Sequence, residues 1–201
     1  MLLRHPIWFR LLRFRCRGAE KREAYNRALE PPAMGFIFGQ RICPQFQVGR
    51  ARMAGVGCEI AAVYNALLLC GRGRPCAELI RIFEKKRFLV AAGVFGSDPY
   101  AIGSFLESTD IPFDRYADYD AMQETADSSR GREGVFIVSF WNRRRIWGGL
   151  HTIAFFTKRS DRDLHVLNFY GRDEGVRSVR CFSDLTDAKR FITGYRLTAD
   201  V

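Results

Sequence analysis

The clearest structural signal in the chain is LHTIAFFTKRSDRDLHVLNFY, residues 150–170. Residues 150–157 and 163–170 are rich in β-branched and aromatic side chains, which is typical of strands. The segment KRSDR between them is polar and turn-forming. The stretch therefore predicts an antiparallel hairpin whose loop is centred near residue 160 or 161.

Helical patterns precede this hairpin and further strand patterns surround it. GVFIVSFW (134–141) predicts a strand before it, and a short strand near 176–182, a helix near 183–192 and the strand GYRLT (194–198) are predicted after it. Upstream, helices are expected over 3–15, 18–30, 58–70 and 76–87, after Ser97 or Asp98, and from Asp118 or Asp120 to 127. Helices followed by an antiparallel sheet predict an α+β fold.

The composition fits one compact, basic, globular unit. The 201 residues are 47% hydrophobic and include 17 phenylalanines, which excludes a largely disordered chain. A formal charge of +10 permits nucleic acid, an anionic membrane or an acidic protein as partner. Nucleic acid is not expected, because charge alone supports it and no recognition motif is present.

The cysteine usage bears on location and on cofactors. Six cysteines are scattered without a CxxC pair or a matching histidine pair, so neither a structural zinc site nor a cofactor is expected. The apolar runs are too short to span a bilayer, and no secretory signal is recognised. These features favour reduced thiols in a cytoplasmic protein.

Cys58 opens the apolar helical run of GVGCEIAAVYNALLLCG, residues 55–71. A helix start favours negative charge and lowers the pKa of a thiol, as a nucleophile requires. The alternative is a buried structural thiol, which is the usual state of a free cysteine.

The hairpin supplies partners for such a nucleophile. His151 opens the first strand, and the predicted register places it opposite residues 169–171, with Asn168 in diagonal reach. An imidazole base held by an amide would complete a Cys-His-Asn arrangement. His165, in the middle of a strand, is expected to be structural.

These residues together resemble the papain-like cysteine peptidases, in their double-glycine (bacteriocin) leader-peptidase-like branch. The similar segments are GCEIAAVYNALLLCG, GSDPYAIGSFLE, GVFIVSF, LHTIAFF and VLNFYG, in family order over about 55–171. The resemblance implies a papain-like fold, with a central nucleophile helix among N-terminal helices packed on a C-terminal antiparallel sheet. It assigns the nucleophile to Cys58, the base to His151 and the orienting amide to Asn168, and it implies a peptide or protein substrate.

The chain departs from the family upstream of the cysteine, where the family places an oxyanion-binding glutamine. Arg52 lies six residues before Cys58, and the nearest upstream glutamines are at positions 47, 45 and 40. Gln47 is the candidate if the intervening loop bulges, and the Cys58 N–H supplies another donor.

The remaining candidates, expected to line the substrate cleft, are Trp141, Trp147, Gly57 and Glu59. Glu59 is also interpreted as a favourable first-turn charge or an ion-pair partner of a loop arginine.

The first 35 residues lie outside the resemblance and are interpreted as a basic helical extension of a domain spanning 36–201. Leu3, Ile7, Leu11 and Phe14 form one helical stripe among arginines. Residues 1–17 are thus expected to bind an anionic membrane surface or a partner protein, or to pack on the domain itself.

The function expected is a cysteine peptidase or related thiol amide hydrolase or acyltransferase. The alternative is a non-catalytic basic protein that binds nucleic acid or an anionic membrane.

Overall fold

The computed structural model describes residues 6–13, 16–32, 34–142, 149–169 and 175–198. The helices are Pro6–Leu11 (α1), Ala19–Leu29 (α2), Met53–Val56 (α3), Cys58–Leu69 (α4), Cys76–Lys85 (α5), Ala101–Leu106 (α6) and Tyr119–Ser128 (α7). The strands are Gln47–Val48 (β1), Ala51–Arg52 (β2), Phe113–Tyr116 (β3), Gly134–Trp141 (β4), Leu150–Thr157 (β5), Leu164–Leu167 (β6), Arg177–Val179 (β7) and Phe191–Leu197 (β8). Short 3-10 helices include Gln40–Ile42 and Phe182–Asp184.

Six of these strands form one antiparallel sheet in the order β3-β8-β4-β5-β6-β7, and β1 and β2 form a separate hairpin. In the β5–β6 pair, Ala154 lies opposite Leu167 and Phe156 lies opposite His165. This register centres the loop between residues 160 and 161, so the predicted hairpin and the α+β class are confirmed.

The sheet separates two hydrophobic cores. Val135 and Ile137 of β4 face the core formed with α4, α5 and α6, whereas Phe136 and Val138 face the core formed with α7. This alternation follows from the two-residue period of a strand. Apolar side chains on both faces, and the pairing of the buried Ser139 hydroxyl with that of Thr152, allow β4 to be buried on both faces.

Helix α4 is the buried centre of the first core, with residues 58–67 all buried, and it packs on β5 and β4. It begins immediately after Gly57, where a Cβ atom would lie 2.5 Å from Met53 Cγ and 2.8 Å from the Met53 carbonyl oxygen. Only glycine permits this close approach of α3 to the start of α4. Gly57 therefore fixes the position of Cys58 from within the packed interior.

The described part of the N-terminal region packs on the rest of the domain. Arg22 of α2 donates two hydrogen bonds, of 2.7 and 2.8 Å, to the carboxylate of Glu84 on α5, and Glu84 also accepts from the Gly49 N–H. Asn26, which is 0% exposed, pairs with both main-chain groups of Gln47. Helix α2 is thus joined to the domain by buried polar contacts, while the boundary at residue 35 stays a prediction.

The structure corrects the end of the sequence-based element list. The helix expected over 183–192 is wrong: after a 3-10 turn, the Asp187 carboxylate accepts hydrogen bonds from the Lys189 and Arg190 N–H groups. This local capping competes with helix propagation, and the chain enters β8 at Phe191. Strand β3 was not predicted.

None of the helices in the described ranges is long and apolar enough to cross a membrane.

Candidate active site

Cys58 is the first residue of α4 and is only 6% exposed. Its Sγ lies 3.0 Å from Glu59 Oε2, to which the thiol donates, and 3.9 Å from the Leu150 carbonyl oxygen. Within the described residues, no hydrogen bond joins this sulfur to the His151 ring. The thiol therefore lies beside the strand that carries His151, but its proton is directed at Glu59.

The open edge of β5 accommodates the start of α4. Strand β6 pairs with β5 only from residue 154 to 156, so the main-chain groups of Leu150 and Thr152 extend past its end. Peptide groups of alternate residues point to the same strand edge. Cys58 and Asn168 occupy that edge, Cys58 against the Leu150 carbonyl and Asn168 against the Thr152 carbonyl.

The His151 ring is oriented by the main chain of Asn168. The distance from His151 Nε2 to the Asn168 carbonyl oxygen is 2.9 Å. A carbonyl can only accept, so Nε2 carries the proton of the neutral ring and Nδ1 carries the lone pair. The sequence predicted that the Asn168 amide would hold the imidazole. The structure assigns that hydrogen bond to its carbonyl group instead.

The Asn168 amide links three segments around the site. Its Nδ2 donates to the carbonyl oxygens of Thr152, at 3.3 Å, and Cys58, at 3.5 Å, and its Oδ1 accepts from the Gln40 N–H at 3.2 Å. Asn168 has a φ of 59°, a left-handed conformation that asparagine tolerates better than most residues. This turn ends β6 and directs the side chain towards the start of α4.

The glutamine beside the site is Gln40 and not the predicted Gln47. Gln47 lies in β1, where its main chain is paired with Asn26. Gln40 is bonded to Asn168 through its N–H, and its Nε2 donates to the Ala54 carbonyl at 2.8 Å. Its Oε1 is buried without a partner in the described structure. The intervening residues form the 3-10 turn and the β1–β2 hairpin, so distance along the sequence concealed this placement.

Burial favours the uncharged forms of both the Cys58 thiol and the His151 imidazole. Burial, and next the adjacent Glu59 carboxylate, raises the pKa of Cys58 well above its ordinary value, against a smaller lowering by the Thr152 N–H. Burial lowers the pKa of His151 to about 4. The Cys58 thiol and the His151 imidazole are therefore both neutral at pH 7. The lowered thiol pKa expected from the helix start is wrong, because burial and Glu59 outweigh it.

Glu59 belongs to a buried polar network that the sequence analysis missed. Its side chain is 1% exposed, and burial raises its pKa to about 7. The nearby Asp98 carboxylate raises its pKa further, and the Ser97 N–H has a smaller lowering effect on that pKa. Asp98 is itself paired with Arg13 from the N-terminal region. Glu59 does lie in the first turn of α4, but its raised pKa opposes the charged form, and the described residues show no ion pair between it and a loop arginine.

The predicted cleft residues are only partly described. Trp141 is 8% exposed, and its ring stacks on Phe9 of α1 with a centroid distance of 6.3 Å. Phe9 also meets the Tyr100 ring edge-on at 6.1 Å. Trp147 lies outside the described residues. Trp141 thus contacts the N-terminal segment at the end of β4, next to the strand that carries His151.

His165 has a separate environment that agrees with its expected structural role. Its Nε2 lies 3.0 Å from both carboxylate oxygens of Asp161, and its Nδ1 lies 3.2 Å from Ser178 Oγ. The ring stacks on Phe156. These contacts tie the hairpin loop to β6 and the edge strand β7.

Neither a metal centre nor a known relative accounts for the site. The described residues include no group of three or more histidine, cysteine or acidic side chains placed to hold a metal ion. No family model, curated protein or solved structure gives a significant match to the chain.

Proposed function

We propose that the protein is a cysteine peptidase or a related thiol amide hydrolase or acyltransferase, with a papain-like arrangement of Cys58, His151 and Asn168. The observation that carries the proposal is the dual role of Asn168. Its carbonyl fixes the His151 tautomer and its amide holds the main chain of Cys58, so one residue aligns the base and the nucleophile.

The chemistry begins with attack of the Cys58 sulfur on an acyl carbonyl. The thiol proton leaves the sulfur, the S–C bond forms, and the carbonyl π electrons move onto oxygen. Collapse of this intermediate expels the amine, which receives a proton, and leaves an acyl-enzyme. Water or an acceptor amine then attacks the thioester, with His151 Nδ1 taking its proton and returning it to sulfur.

Two donors are suited to stabilise the developing oxyanion. The first N–H groups of an α-helix have no intrahelical acceptor, so the Cys58 N–H supplies one donor at the start of α4. The Gln40 amide supplies the second, because Gln40 is tied to Asn168 and to the Ala54 carbonyl just before the nucleophile. Gln40 thus takes the role that the sequence assigned to Gln47.

The substrate class is a peptide or protein, with no cofactor. Several of the described arginines are paired with carboxylates, among them Arg13 with Asp98, Arg22 with Glu84 and Arg81 with Glu23. These paired arginines are less available to an anionic partner. A cytoplasmic location and a membrane or protein contact through residues 1–17 stay predictions.

The proposal is tested with 4-nitrophenyl acetate, an activated ester that needs no particular recognition. We expect the wild-type protein to release 4-nitrophenol, Cys58→Ser to lose this release, and Cys181→Ser to retain it as the matched control. His151→Ala should slow turnover about 100-fold or more, the usual contribution of a general base. Equal release by wild type and Cys58→Ser would rule out Cys58 as the nucleophile.

A further inference from the structure

A carboxylate oxygen lies within hydrogen-bond reach of the candidate nucleophile. Glu59 Oε2 lies 3.0 Å from the Cys58 sulfur. The Leu150 carbonyl oxygen lies 3.9 Å from the same sulfur, but an amide carbonyl is too weak a base to remove a thiol proton. A group within hydrogen-bond reach of the proton it must remove meets the first requirement for a general base.

The surroundings of Glu59 hold its carboxylate at the sulfur. Its oxygens would lie 3.7 and 3.8 Å from a Cβ atom built on Gly96, which has a φ of 78°, and the Ser97 N–H acts to lower the pKa of the carboxylate. The side chain is 1% exposed, so water does not compete for it. The carboxylate therefore lies between Gly96 and the thiol.

We propose that Glu59 is a catalytic residue that removes the proton of Cys58 during acylation and delivers it to the leaving group, while His151 serves as base for the attacking water. The inference rests on the proposed function and assigns one further residue to that site. In the first step the S–H bond breaks, its proton joins Glu59 Oε2, and the sulfur electron pair forms the S–C bond. For an amide the proton then passes from the carboxyl group to the departing nitrogen, which restores the Glu59 carboxylate.

The charges around Glu59 are consistent with this division of roles. The titratable and charged groups facing it are Cys58 of α4 and Asp98, whose charge is offset by Arg13. Burial gives Glu59 a pKa of about 7, close to the value at which a general base is most effective, whereas His151 has a pKa of about 4 and is a weaker acceptor.

The experiment compares two reactions of wild type, Glu59→Gln and the surface control Glu107→Gln. Acylation is measured as the burst of 4-nitrophenol from 4-nitrophenyl acetate. The fraction of Cys58 that is ionised in the free protein is measured by the rate of its alkylation by iodoacetamide. We expect the ratio of the burst rate to the alkylation rate to fall about 100-fold in Glu59→Gln. The burst slows because the proton acceptor is lost. The alkylation does not slow, because removal of the neighbouring carboxylate charge favours the thiolate form of Cys58. The rise of the burst rate with pH near neutrality should disappear in that variant only.

The possible results separate the inference from the proposed function. An unchanged ratio and pH profile in Glu59→Gln, with a Cys58-dependent wild-type burst, would overturn the role of Glu59 and leave the function intact. A wild-type burst that does not depend on Cys58 would overturn both. If Glu59→Gln loses both reactions, Glu59→Asp decides: a recovered burst with its pH dependence supports the inference, and no recovery contradicts it.

Discussion

The His151 ring and the main-chain carbonyl of Asn168 are 2.9 Å apart, just past the end of β6 and beside the first residues of β5. This contact sets the tautomer of the imidazole without using an acidic side chain. It depends on the left-handed conformation of Asn168, because that turn brings the carbonyl to the ring and the amide to Cys58 and Thr152. Asn168 is therefore the residue that joins the hairpin to the start of α4.

Asn168→Ala should destabilise the fold and abolish the alignment. The variant loses hydrogen bonds to three main-chain groups, those of Thr152, Cys58 and Gln40, and places a Cβ-bearing residue without a polar side chain at a positive φ. At about 1 kcal/mol per net hydrogen bond and about 1 kcal/mol for the conformation, we expect roughly 3–4 kcal/mol. Urea unfolding measures this loss.

Asn168→Gly is the matched control for the conformational part of that cost. Glycine adopts positive φ freely, so it should recover roughly 1 kcal/mol of stability relative to alanine but none of the acylation rate. If Asn168→Ala and wild type unfolded at the same urea concentration, the three hydrogen bonds would have no energetic role.

Gln40→Ala should slow acylation, and Gln47→Ala should not. Removal of one oxyanion donor typically reduces the rate about 100-fold or more. Gln47 contributes main-chain bonds to Asn26, which an alanine preserves. The burst rate with 4-nitrophenyl acetate distinguishes them. A slow Gln47→Ala beside a normal Gln40→Ala would restore the sequence-based assignment.

Glu59→Gln should change how stability depends on pH. The pKa of Glu59 is raised from 4.5 to about 7 in the folded state, so its stabilising effect is complete below pH 4.5 and is lost as the pH rises through 7. That loss amounts to roughly 3 kcal/mol for this buried group. The free energy of unfolding of Glu59→Gln relative to wild type should therefore rise by about this amount between pH 4.5 and 8.

His151 has the opposite pH dependence and is present in both proteins. Its folded-state pKa of about 4 lies below the ordinary 6.5, so its contribution is complete above pH 6.5 and is lost as the pH falls through 4. Subtracting the two stability curves cancels this contribution. A difference curve that is flat from pH 4.5 to 8 would show that Glu59 is not protonated preferentially in the folded state.

Arg13→Ala should destabilise the protein more at pH 8 than at pH 5. The Asp98 side chain is 0% exposed, and burial raises its pKa, which Arg13 counteracts. Without Arg13 an ionised carboxylate remains buried and unpaired, at a cost of about 2–3 kcal/mol given the partial exposure of Arg13. Protonation of Asp98 relieves this cost at lower pH. Urea unfolding at both pH values measures the loss of stability, and Arg17→Ala, at an exposed position, is the control. Equal losses at pH 5 and pH 8 in Arg13→Ala would contradict the prediction.

Local signals in the sequence predicted the elements that carry the site. Two segments rich in aromatic and β-branched residues, joined by a polar link, predicted the β5–β6 hairpin and its register. Asp118 was one of two candidates for the start of α7, and the structure shows its side chain accepting from the Ala121 N–H. Such patterns act over a few residues, so they are readable without knowledge of the tertiary fold.

The contacts that define the chemistry are long-range and were not predictable in the same way. Gln40 reaches Asn168 across 128 residues, and Arg13 reaches Asp98 across 85. The environment of Glu59 likewise depends on a turn at Gly96 and Ser97. No periodicity in the sequence reports such contacts. The pKa of Cys58 was therefore expected to be low from its helix position, although burial and Glu59 raise it.

The most direct test of the central claim is to locate the acyl group after a single turnover. Wild-type protein is mixed with 4-nitrophenyl acetate, quenched in acid during the burst, digested and mapped by mass spectrometry. The account predicts one acetyl thioester per chain, on Cys58, which accumulates further in His151→Ala because that variant acylates but hydrolyses the thioester slowly. Acetylation spread evenly over the six cysteines, or absent from Cys58, would contradict it.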